Sequence, residues 1–301
     1  MTMTQHFLDV DDLSREELDD VLDDAEALKS QETGDDDNHA LLPDKTLAML
    51  FEKPSTRTRV SFETGMTQLG GHAIFLGPDD TQLGRGEPLS DTARTLSRYV
   101  DGIMVRVFNH ADAVELAEYA SVPIVNGLTD DAHPCQALAD LLTIREHFDS
   151  FDVQAAWVGD GNNVAQSFVI GCAMVGIDLT VAHPEGYGID DSVIDRANQF
   201  DGPNVTVTND PTKAVADADV VYTDVWVSMG QEKERDEKLQ AFEGFQVNEE
   251  LLDEQAVLHC LPAHRGEEIT GAVIESDHAL VWDQAENRLH AQKALLTKLL
   301  S

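Results

Sequence analysis

The chain has 301 residues, with 57 acidic against 20 basic side chains and a formal net charge of −37 at pH 7. So acidic a surface repels nucleic acids, anionic membranes and anionic small molecules, and binding any anion requires a local concentration of positive charge. The length allows two domains, each with its own core.

The acidic residues are spread along the chain rather than gathered into one tail, as residues 9–24, 35–37, 190–191 and 249–250 illustrate. This distribution indicates a solvated surface suited to concentrated salt, where screening removes the mutual repulsion of the carboxylates. The alternative is an acidic face that binds a partner, and that alternative predicts stronger clustering.

Cysteine usage and hydropathy indicate the compartment. Cys135, Cys172 and Cys260 are an odd and widely separated set, which disfavours a disulfide framework. No apolar run is long enough to span a bilayer, and the first ten residues lack the basic start and apolar core of a secretory signal. We therefore expect a soluble, cytoplasmic protein.

The first half of the chain alternates between helical and strand patterns. In order, we predict a helix at 13–28, a polar loop at 33–38, a strand at 46–51, a helix that stops at Gly70-Gly71, a strand at 72–76, a polar loop at 77–88, a helix at 90–100, a strand at 102–107, a helix at 111–120 and a strand at 123–125. Such alternation predicts an α/β domain with a parallel sheet.

The second half repeats the pattern after a long helix that begins at Pro134 and links the two domains. We predict strands at 153–158, 179–182, 205–207, 220–223 and 256–259, a helix at 164–175 and a terminal helix at 284–300. Residues 226–241 are polar and without periodicity, which predicts a mobile loop. The fold class is therefore α/β, with two parallel-sheet domains.

Residues 51–65 concentrate positive charge where a strand is followed by a helix. The three cations of this stretch are Lys53, Arg57 and Arg59, and three hydroxyls lie where the helix begins, those of Ser55, Thr56 and Thr58. Backbone N–H groups, the positive end of the helix dipole and a guanidinium can together hold a phosphate. The simpler interpretation is a helix N-cap followed by a solvated basic turn.

The stretch Gly159-x-Gly161 between a strand and a helix half-matches a dinucleotide-binding fingerprint, so an NAD-dependent oxidoreductase is an alternative. Val164 stands where the third glycine belongs and would crowd the helix against the strand, while Glu185 suits a ribose-binding acid only loosely. We favour a close glycine turn in a parallel sheet.

The set His259, Cys260 and His264 raises the alternative of a zinc site or a Cys/His nucleophile. In an extended strand the side chains of His259 and Cys260 point to opposite faces, so we expect neither a shared metal nor direct proton transfer between them. With no second Cys/His pair nearby we predict no metal. Cys260 alone is typical of a small buried hydrophobic residue.

Four segments carry a resemblance to a known family: Ser55-Thr56-Arg57-Thr58-Arg59, His133-Pro134-Cys135-Gln136, Asp224 with Ser228-Met229-Gly230, and His259-Cys260-Leu261-Pro262. In this order and roughly this spacing they resemble the ornithine carbamoyltransferases over essentially the whole chain. The first two segments indicate only the wider carbamoyltransferase group, which includes the aspartate enzymes. The last two favour ornithine.

The resemblance implies transfer of a carbamoyl group from carbamoyl phosphate to the δ-amine of L-ornithine, without cofactor or metal. Citrulline and phosphate form through a tetrahedral intermediate, in arginine synthesis or breakdown. The resemblance also implies a carbamoyl phosphate-binding domain at 1–132, a linking helix at 133–150, an ornithine-binding domain at 151–283, and a helix at 284–301 that returns to the first domain. It places the active site in the cleft between the domains and implies a homotrimer or a multiple of trimers.

For carbamoyl phosphate, the resemblance implies contacts from Ser55, Thr56, Arg57, Thr58, Arg106, His133, Pro134, Cys135, Gln136, Cys260, Leu261, Arg288 and, from a neighbouring subunit, Gln82. Arg57, Thr58, Arg106 and His133 are the expected donors to the carbonyl oxygen as it gains charge. We expect the side chain of Gln136 and the backbone carbonyl of Leu261 to hold the carbamoyl NH₂. The bond between Leu261 and Pro262 is cis in the family.

Ornithine is cationic at both amines, so its site should carry acid. Asp224 is the candidate for the α-amino group, and Asn163, Ser228 and the backbone of Met229 for the α-carboxylate. By resemblance Cys260 contacts the δ-nitrogen as a catalytic residue without forming a covalent intermediate. Partners for both α-groups favour ornithine over putrescine or N-acetylornithine. A non-enzymatic binding protein remains an alternative that predicts no turnover.

Overall fold

The computed structural model describes residues 6–31, 41–81, 86–200, 202–228 and 230–301. The chain divides into two compact units, one formed by Met1–Ala139 with Asn287–Ser301 and the other by Asp140–Glu286. Each unit contains a parallel sheet with helices in its connections. The predicted fold class, two parallel-sheet α/β domains, is confirmed.

The first unit is built on a four-stranded sheet with the order β2-β1-β3-β4. Its strands are β1 (Thr46–Phe51), β2 (His72–Leu76), β3 (Gly102–Arg106) and β4 (Ile124–Leu128). Its helices are α1 (Arg15–Gln31), α2 (Thr56–Gln68), α3 (Leu89–Leu96) and α4 (His110–Tyr119), with the start of α5 (Pro134–Phe148) and most of α11 (Val281–Leu300).

The two central strands of this sheet end together at one edge, and this places the start of α2 beside Arg106. β1 and β3 are buried along nearly their whole length because helices cover a parallel sheet. Phe51 pairs with Arg106 at the last position of the two strands. Since parallel strands end at the same edge of their sheet, the start of α2 and the side chain of Arg106 emerge together.

The second unit contains a five-stranded parallel sheet with the order β7-β6-β5-β8-β9. Its strands are β5 (Gln154–Val158), β6 (Asp178–Ala182), β7 (Val205–Thr208), β8 (Val220–Tyr222) and β9 (Ala256–Leu258). Its helices are α6 (Asn163–Val175), α7 (Asp191–Ala197), α8 (Pro211–Val215), α9 (Arg235–Ala241) and α10 (Gly271–Ile274), together with the remainder of α5 and the start of α11.

The strand order of the second sheet reverses at β5, because β6 extends the sheet on one side and β8 on the other. Side chains that follow β5 and β8 therefore meet at a topological switch point, where α/β sheets bind ligands. The turn after β5 is tight. A Cβ added to Gly161 would lie 2.3 Å from the backbone carbonyl carbon and oxygen of Gly188.

Most predicted elements differ from the observed ones by a few residues at their ends, and three of the differences concern α9, β9 and α11. Residues 226–241 are not one loop, since they end in helix α9. This helix escapes detection because it is short and because Lys238, a charged residue, occupies its buried position. β9 ends at Leu258, one residue earlier than predicted, and α11 begins at Val281 rather than at residue 284.

All three cysteines are free thiols. Across the described ranges, none of the helices combines the length and the apolarity that crossing a bilayer requires.

Replacement of Gly161 by alanine should destabilise the second unit, because the new methyl group collides with fixed backbone rather than with a flexible side chain. We expect a loss of roughly 1–3 kcal/mol, typical of overpacking, and a melting temperature lower by several degrees. Gly271→Ala is the matched control, since its added Cβ meets only the Arg265 side chain, at 3.5 Å. Equal melting temperatures for both variants would contradict the close-turn interpretation.

Candidate functional site

The start of α2 is an organised anion site in the first unit. Ser55 adopts an extended backbone as N-cap, and its Oγ accepts a hydrogen bond from the Thr58 N–H at 3.2 Å. The Ser55 hydroxyl also donates to Thr58 Oγ1 at 3.0 Å. The first turn of α2 has no acidic side chain to offset the helix dipole, so its positive end and remaining N–H groups are available to an anion.

The three cations near this turn have different surroundings. Lys53 is buried, forms an ion pair with Asp130 and lies 4.5 Å from the centre of the Phe108 ring. Arg59 donates to Glu63 at 2.9 Å and stacks over an aromatic ring. Arg57 is exposed and forms no ion pair within the part of the chain that the structure describes. Of the three, Arg57 is the cation available to a ligand.

Arg57, Arg106, His133 and Arg288 form what we term the cationic cluster. Arg106, His133 and Arg288 are each no more than 7% exposed. Arg288 Nη1 donates to Gln136 Oε1 at 2.6 Å and lies 3.5 Å from His133 Nε2. Because a guanidinium only donates, His133 Nε2 is the acceptor of this long contact and Nδ1 carries the ring proton.

Burial lowers the pKa of His133 well below 6.5, and the positive charges of Arg288, Arg106 and Arg57 lower that pKa further. His133 is therefore neutral near pH 7, and it can donate one N–H without adding a fourth charge. The charges of Arg57, Arg106 and Arg288 thus act on one imidazole, that of His133.

The neighbours of His133 on α5 have different surroundings. Pro134 is the first residue of α5. The thiol of Cys135 donates to the Asn126 carbonyl at 3.3 Å, and burial raises its pKa to about 11. The Cys135 side chain is thus a core group, and any contact of this residue with a ligand falls to its backbone.

Asp224, Asn162 and Cys260 form what we term the acceptor cluster of the second unit. Asp224 follows β8 and is buried. Its Oδ1 accepts from the Cys260 thiol at 3.2 Å, and its Oδ2 accepts from Asn162 Nδ2 at 2.8 Å. The carboxylate is therefore held in one orientation by two donors.

The sequence predicts Asn163 as a contact of the ornithine α-carboxylate, and in the structure the preceding residue, Asn162, contacts Asp224. Asn162 is the N-cap of α6, and its Oδ1 accepts from the N–H groups of Val164 and Ala165 at 3.0 and 3.1 Å. The same side chain thus fixes the helix start and the carboxylate. Asn163 is the first residue of α6 and is partly exposed.

His259 and Glu268 support the loop that carries Cys260 and Leu261. Both are fully buried, and His259 Nε2 lies 3.1 Å from Glu268 Oε1. The Leu261 N–H donates to His259 Nδ1 at 2.9 Å, so the ring proton is on Nε2 and points to the carboxylate. Leu261 has a φ of +58°, and the Leu261–Pro262 bond is cis.

The expectation that His259 and Cys260 point apart is wrong. β9 ends at Leu258, so the alternation of a strand does not extend to these two residues. Potential ligand atoms of Asp224, His259 and Cys260 lie within 4.8 Å of one another, as do those of His264, Glu267 and Glu268. Because both ring nitrogens of His259 are already engaged, this histidine has no lone pair left for a metal.

Two predicted site residues, Gln82 and Met229, lie outside the described residues. Ser228 is described, and its N–H donates to Gln231 Oε1 at 3.2 Å. Sequence reasoning missed Asn162, Gln231 and Lys238, whose contacts converge on this part of the second unit. The signals available were the asparagine beside a glycine turn and a lysine in the charged segment that follows Ser228.

Comparisons with known proteins match both units. Residues 5–146 match the carbamoyl-P binding domain of aspartate/ornithine carbamoyltransferase, and residues 152–299 match its Asp/Orn binding domain. The ornithine carbamoyltransferase of Haloquadratum walsbyi is 66% identical over 304 residues, which cover 100% of this chain and 99% of that protein.

Solved structures agree with these matches. The ornithine carbamoyltransferase from Pyrococcus furiosus is similar to this chain with a TM-score of 0.94 at 51% identity, covering 99% of this chain and 97% of that one. The enzyme of the same name from Thermus thermophilus has a TM-score of 0.90 at 44% identity and covers 100% of both chains.

The lowered pKa of His133 predicts a pH-dependent loss of stability. Below pH 6.5 the unfolded chain protonates this imidazole while the folded chain does not, so the free energy of unfolding falls as the pH decreases from 6.5 toward the folded-state pKa. The substitution His133→Gln removes the titrating imidazole and therefore this loss of stability at low pH. Thermal melts between pH 5 and 7.5 should show a smaller acid-side decrease for His133→Gln than for the unsubstituted protein.

The control is His72→Gln at an exposed position, which should keep the pH dependence of the unsubstituted protein. Parallel melting curves for all three proteins over this range would show that His133 is not held neutral.

Proposed function

The chain belongs to the aspartate/ornithine carbamoyltransferase family, and we propose that it transfers the carbamoyl group of carbamoyl phosphate to the δ-amine of L-ornithine, giving L-citrulline and phosphate. The observation that carries this proposal is the pairing of two opposite chemistries in one chain. The first unit holds the cationic cluster and the second holds the acceptor cluster.

We assign carbamoyl phosphate to the first unit. Its phosphate dianion suits the N–H groups and hydroxyls of Ser55, Thr56 and Thr58 together with the guanidinium of Arg57. Arg106 supplies a further positive charge where β3 ends beside β1. Hydrogen bonds from these groups hold the phosphate even in a strongly acidic chain. At high salt the distant carboxylates are screened, so only nearby charges act on the phosphate.

The same cluster stabilises charge that develops on the carbonyl oxygen during attack. Arg57, Thr58, Arg106 and neutral His133 are the donors, in the manner of an oxyanion hole. Arg288 orients Gln136 by donating to its Oε1 at 2.6 Å. That oxygen retains a second lone pair for the carbamoyl NH₂, and the Leu261 carbonyl is the other acceptor that we assign to it.

We assign ornithine to the second unit. Asp224 pairs with the α-ammonium group, and Asn163, Ser228 and Met229 bind the α-carboxylate. Asp224 lies 3.2 Å from the Cys260 sulfur, which makes Cys260 a neighbour for the substrate's nitrogen. Cys260 donates its S–H to the Asp224 carboxylate in this arrangement, and we assign it a contact with the substrate rather than a role as nucleophile.

The chemical step then needs no covalent enzyme intermediate. The neutral δ-nitrogen attacks the carbonyl carbon and a C–N bond forms. As the tetrahedral intermediate collapses, the C–O bond to phosphate breaks, and the departing phosphate takes the proton that the amine loses. The protein contributes orientation and electrostatic stabilisation.

We further propose that the protein is a homotrimer or a multiple of trimers, in which Gln82 of one subunit reaches the carbamoyl phosphate of the next. Family membership supports this assembly. We also infer a cytoplasmic enzyme that works in concentrated salt, and the even spread of 57 acidic residues along the chain supports that inference.

The test of the reaction is formation of a ureido product from carbamoyl phosphate in molar KCl, with ornithine, putrescine, N-acetylornithine and aspartate offered in parallel. We expect citrulline from ornithine and no comparable product from the other acceptors, because only ornithine presents both α-groups together with a free δ-amine. Preference for another acceptor would overturn the assignment of Asp224 and Ser228. A folded protein that is inactive with all four would contradict the proposed reaction.

A further inference from the structure

We propose that Lys238 is a positioning residue that sets the specificity for an acceptor carrying an α-carboxylate, by neutralising Asp160 and by holding Ser228 through Gln231. This inference rests on the proposed function, since it assigns a role within recognition of ornithine. This role explains why the buried ammonium group of Lys238 lies next to the site that we assign to a cationic substrate.

The ammonium group of Lys238 is buried, and a small set of polar contacts replaces its contacts with water. It lies on α9 and is 4% exposed. Its Nζ donates to Asp160 Oδ2 at 2.6 Å and to Gln231 Oε1 at 2.9 Å, and it lies 5.6 Å from the centre of the Tyr187 ring. Burying an ammonium group is costly unless it is paired and hydrogen-bonded. These contacts meet that requirement.

Gln231 connects Lys238 to the backbone of Ser228. A single oxygen, Gln231 Oε1, accepts from both the Lys238 ammonium and the Ser228 N–H, the latter at 3.2 Å. Helix α9 has seven residues, too few to be stable by itself. The ammonium therefore anchors both the helix and the segment before it against the end of β5, where Asp160 stands.

Asp160 connects Lys238 to the acceptor cluster. Burial raises the pKa of Asp160, Lys238 opposes that increase, and the nearby charge of Asp224 adds to it. The two carboxylates thus repel each other, and Asn162, two residues after Asp160, donates to Asp224. With Asp160 neutralised by Lys238, Asp224 is the carboxylate left to pair with an α-ammonium group.

The same ammonium favours a negative group near Ser228. A substrate carboxylate bound beside Ser228 approaches a positive charge that one bridging oxygen, Gln231 Oε1, connects to the Ser228 backbone. Acceptors without an α-carboxylate, such as putrescine, gain nothing from this charge. Lys238 therefore favours acceptors that carry an α-carboxylate over acceptors that lack one. A residue with a merely structural role would affect turnover of both kinds alike.

The experiment compares Lys238→Met, Lys238→Arg and Gln231→Ala with the unsubstituted enzyme in molar KCl. Gln231→Ala breaks the bridge to Ser228 but leaves the pair of Lys238 with Asp160, so it keeps the test open if Lys238→Met fails to fold. Lys213→Met is the matched control, since the Lys213 side chain is 77% exposed and, among the described residues, pairs only with its neighbour Asp210 at 3.3 Å. Melting curves check that each variant is folded.

Two readouts isolate the α-groups from the chemistry. One is the inhibition constant of L-norvaline, which has the α-groups of ornithine but no δ-amine. The other is the ratio of kcat/KM for ornithine to kcat/KM for putrescine. We expect Lys238→Met and Gln231→Ala to weaken norvaline binding about tenfold or more, which is the loss of one charge-assisted contact, and to lower the ratio by a similar factor. Lys238→Arg should recover most of this loss.

The KM for carbamoyl phosphate should stay unchanged in these variants, and Lys213→Met should behave as the unsubstituted enzyme. Folded variants with an unchanged norvaline constant and acceptor ratio, or with equal losses for all substrates, would overturn the role of Lys238. An unsubstituted enzyme that makes no citrulline would instead overturn the proposed function, so the two failures are distinguishable.

Discussion

Binding a phosphate dianion with a chain of net charge −37 is the constraint on which the rest of the structure depends. We propose that the first unit meets it over a short distance, with the start of α2 and with three guanidinium groups near a buried imidazole. At molar salt the screening length is about 3 Å. Distant carboxylates then contribute little, and contact hydrogen bonds to Arg57 and the helix N-terminus decide whether an anion is held. The acidic surface and the cationic cluster are therefore compatible.

We propose that the second unit meets the converse requirement, recognition of a substrate with an ammonium group at each end and a carboxylate at one of them. Its buried polar groups are held by one another: Asn162 and Cys260 orient Asp224, and His259 fixes the Leu261 backbone. Lys238 donates to Asp160, the carboxylate near Asp224 at the switch point of the sheet. Specificity built on such groups is strong, because a ligand that lacks the matching group leaves a buried partner unpaired.

Apolar runs predicted most strands because parallel strands are buried on both faces, and the run of residues 102–107 correctly brought Arg106 to an edge. Short-range geometry was not visible in the sequence. The contact of Asn162 with Asp224 follows a turn in which Gly161 packs closely against Gly188. The mutual approach of His259 and Cys260 depends on a strand that ends at Leu258. Lys238 was missed because periodicity assumes that buried helix positions are apolar.

The most direct test of the central claim is calorimetric titration of inorganic phosphate into the protein in molar KCl. The account predicts saturable binding that competes with carbamoyl phosphate and that Arg57→Ala weakens roughly 10- to 100-fold, the loss of a charge-assisted hydrogen bond. Arg15→Ala, which removes an exposed arginine on α1 paired with Asp19 at 2.8 Å, should leave it unchanged. Undiminished phosphate binding by Arg57→Ala, or an equal loss in Arg15→Ala, would contradict the account.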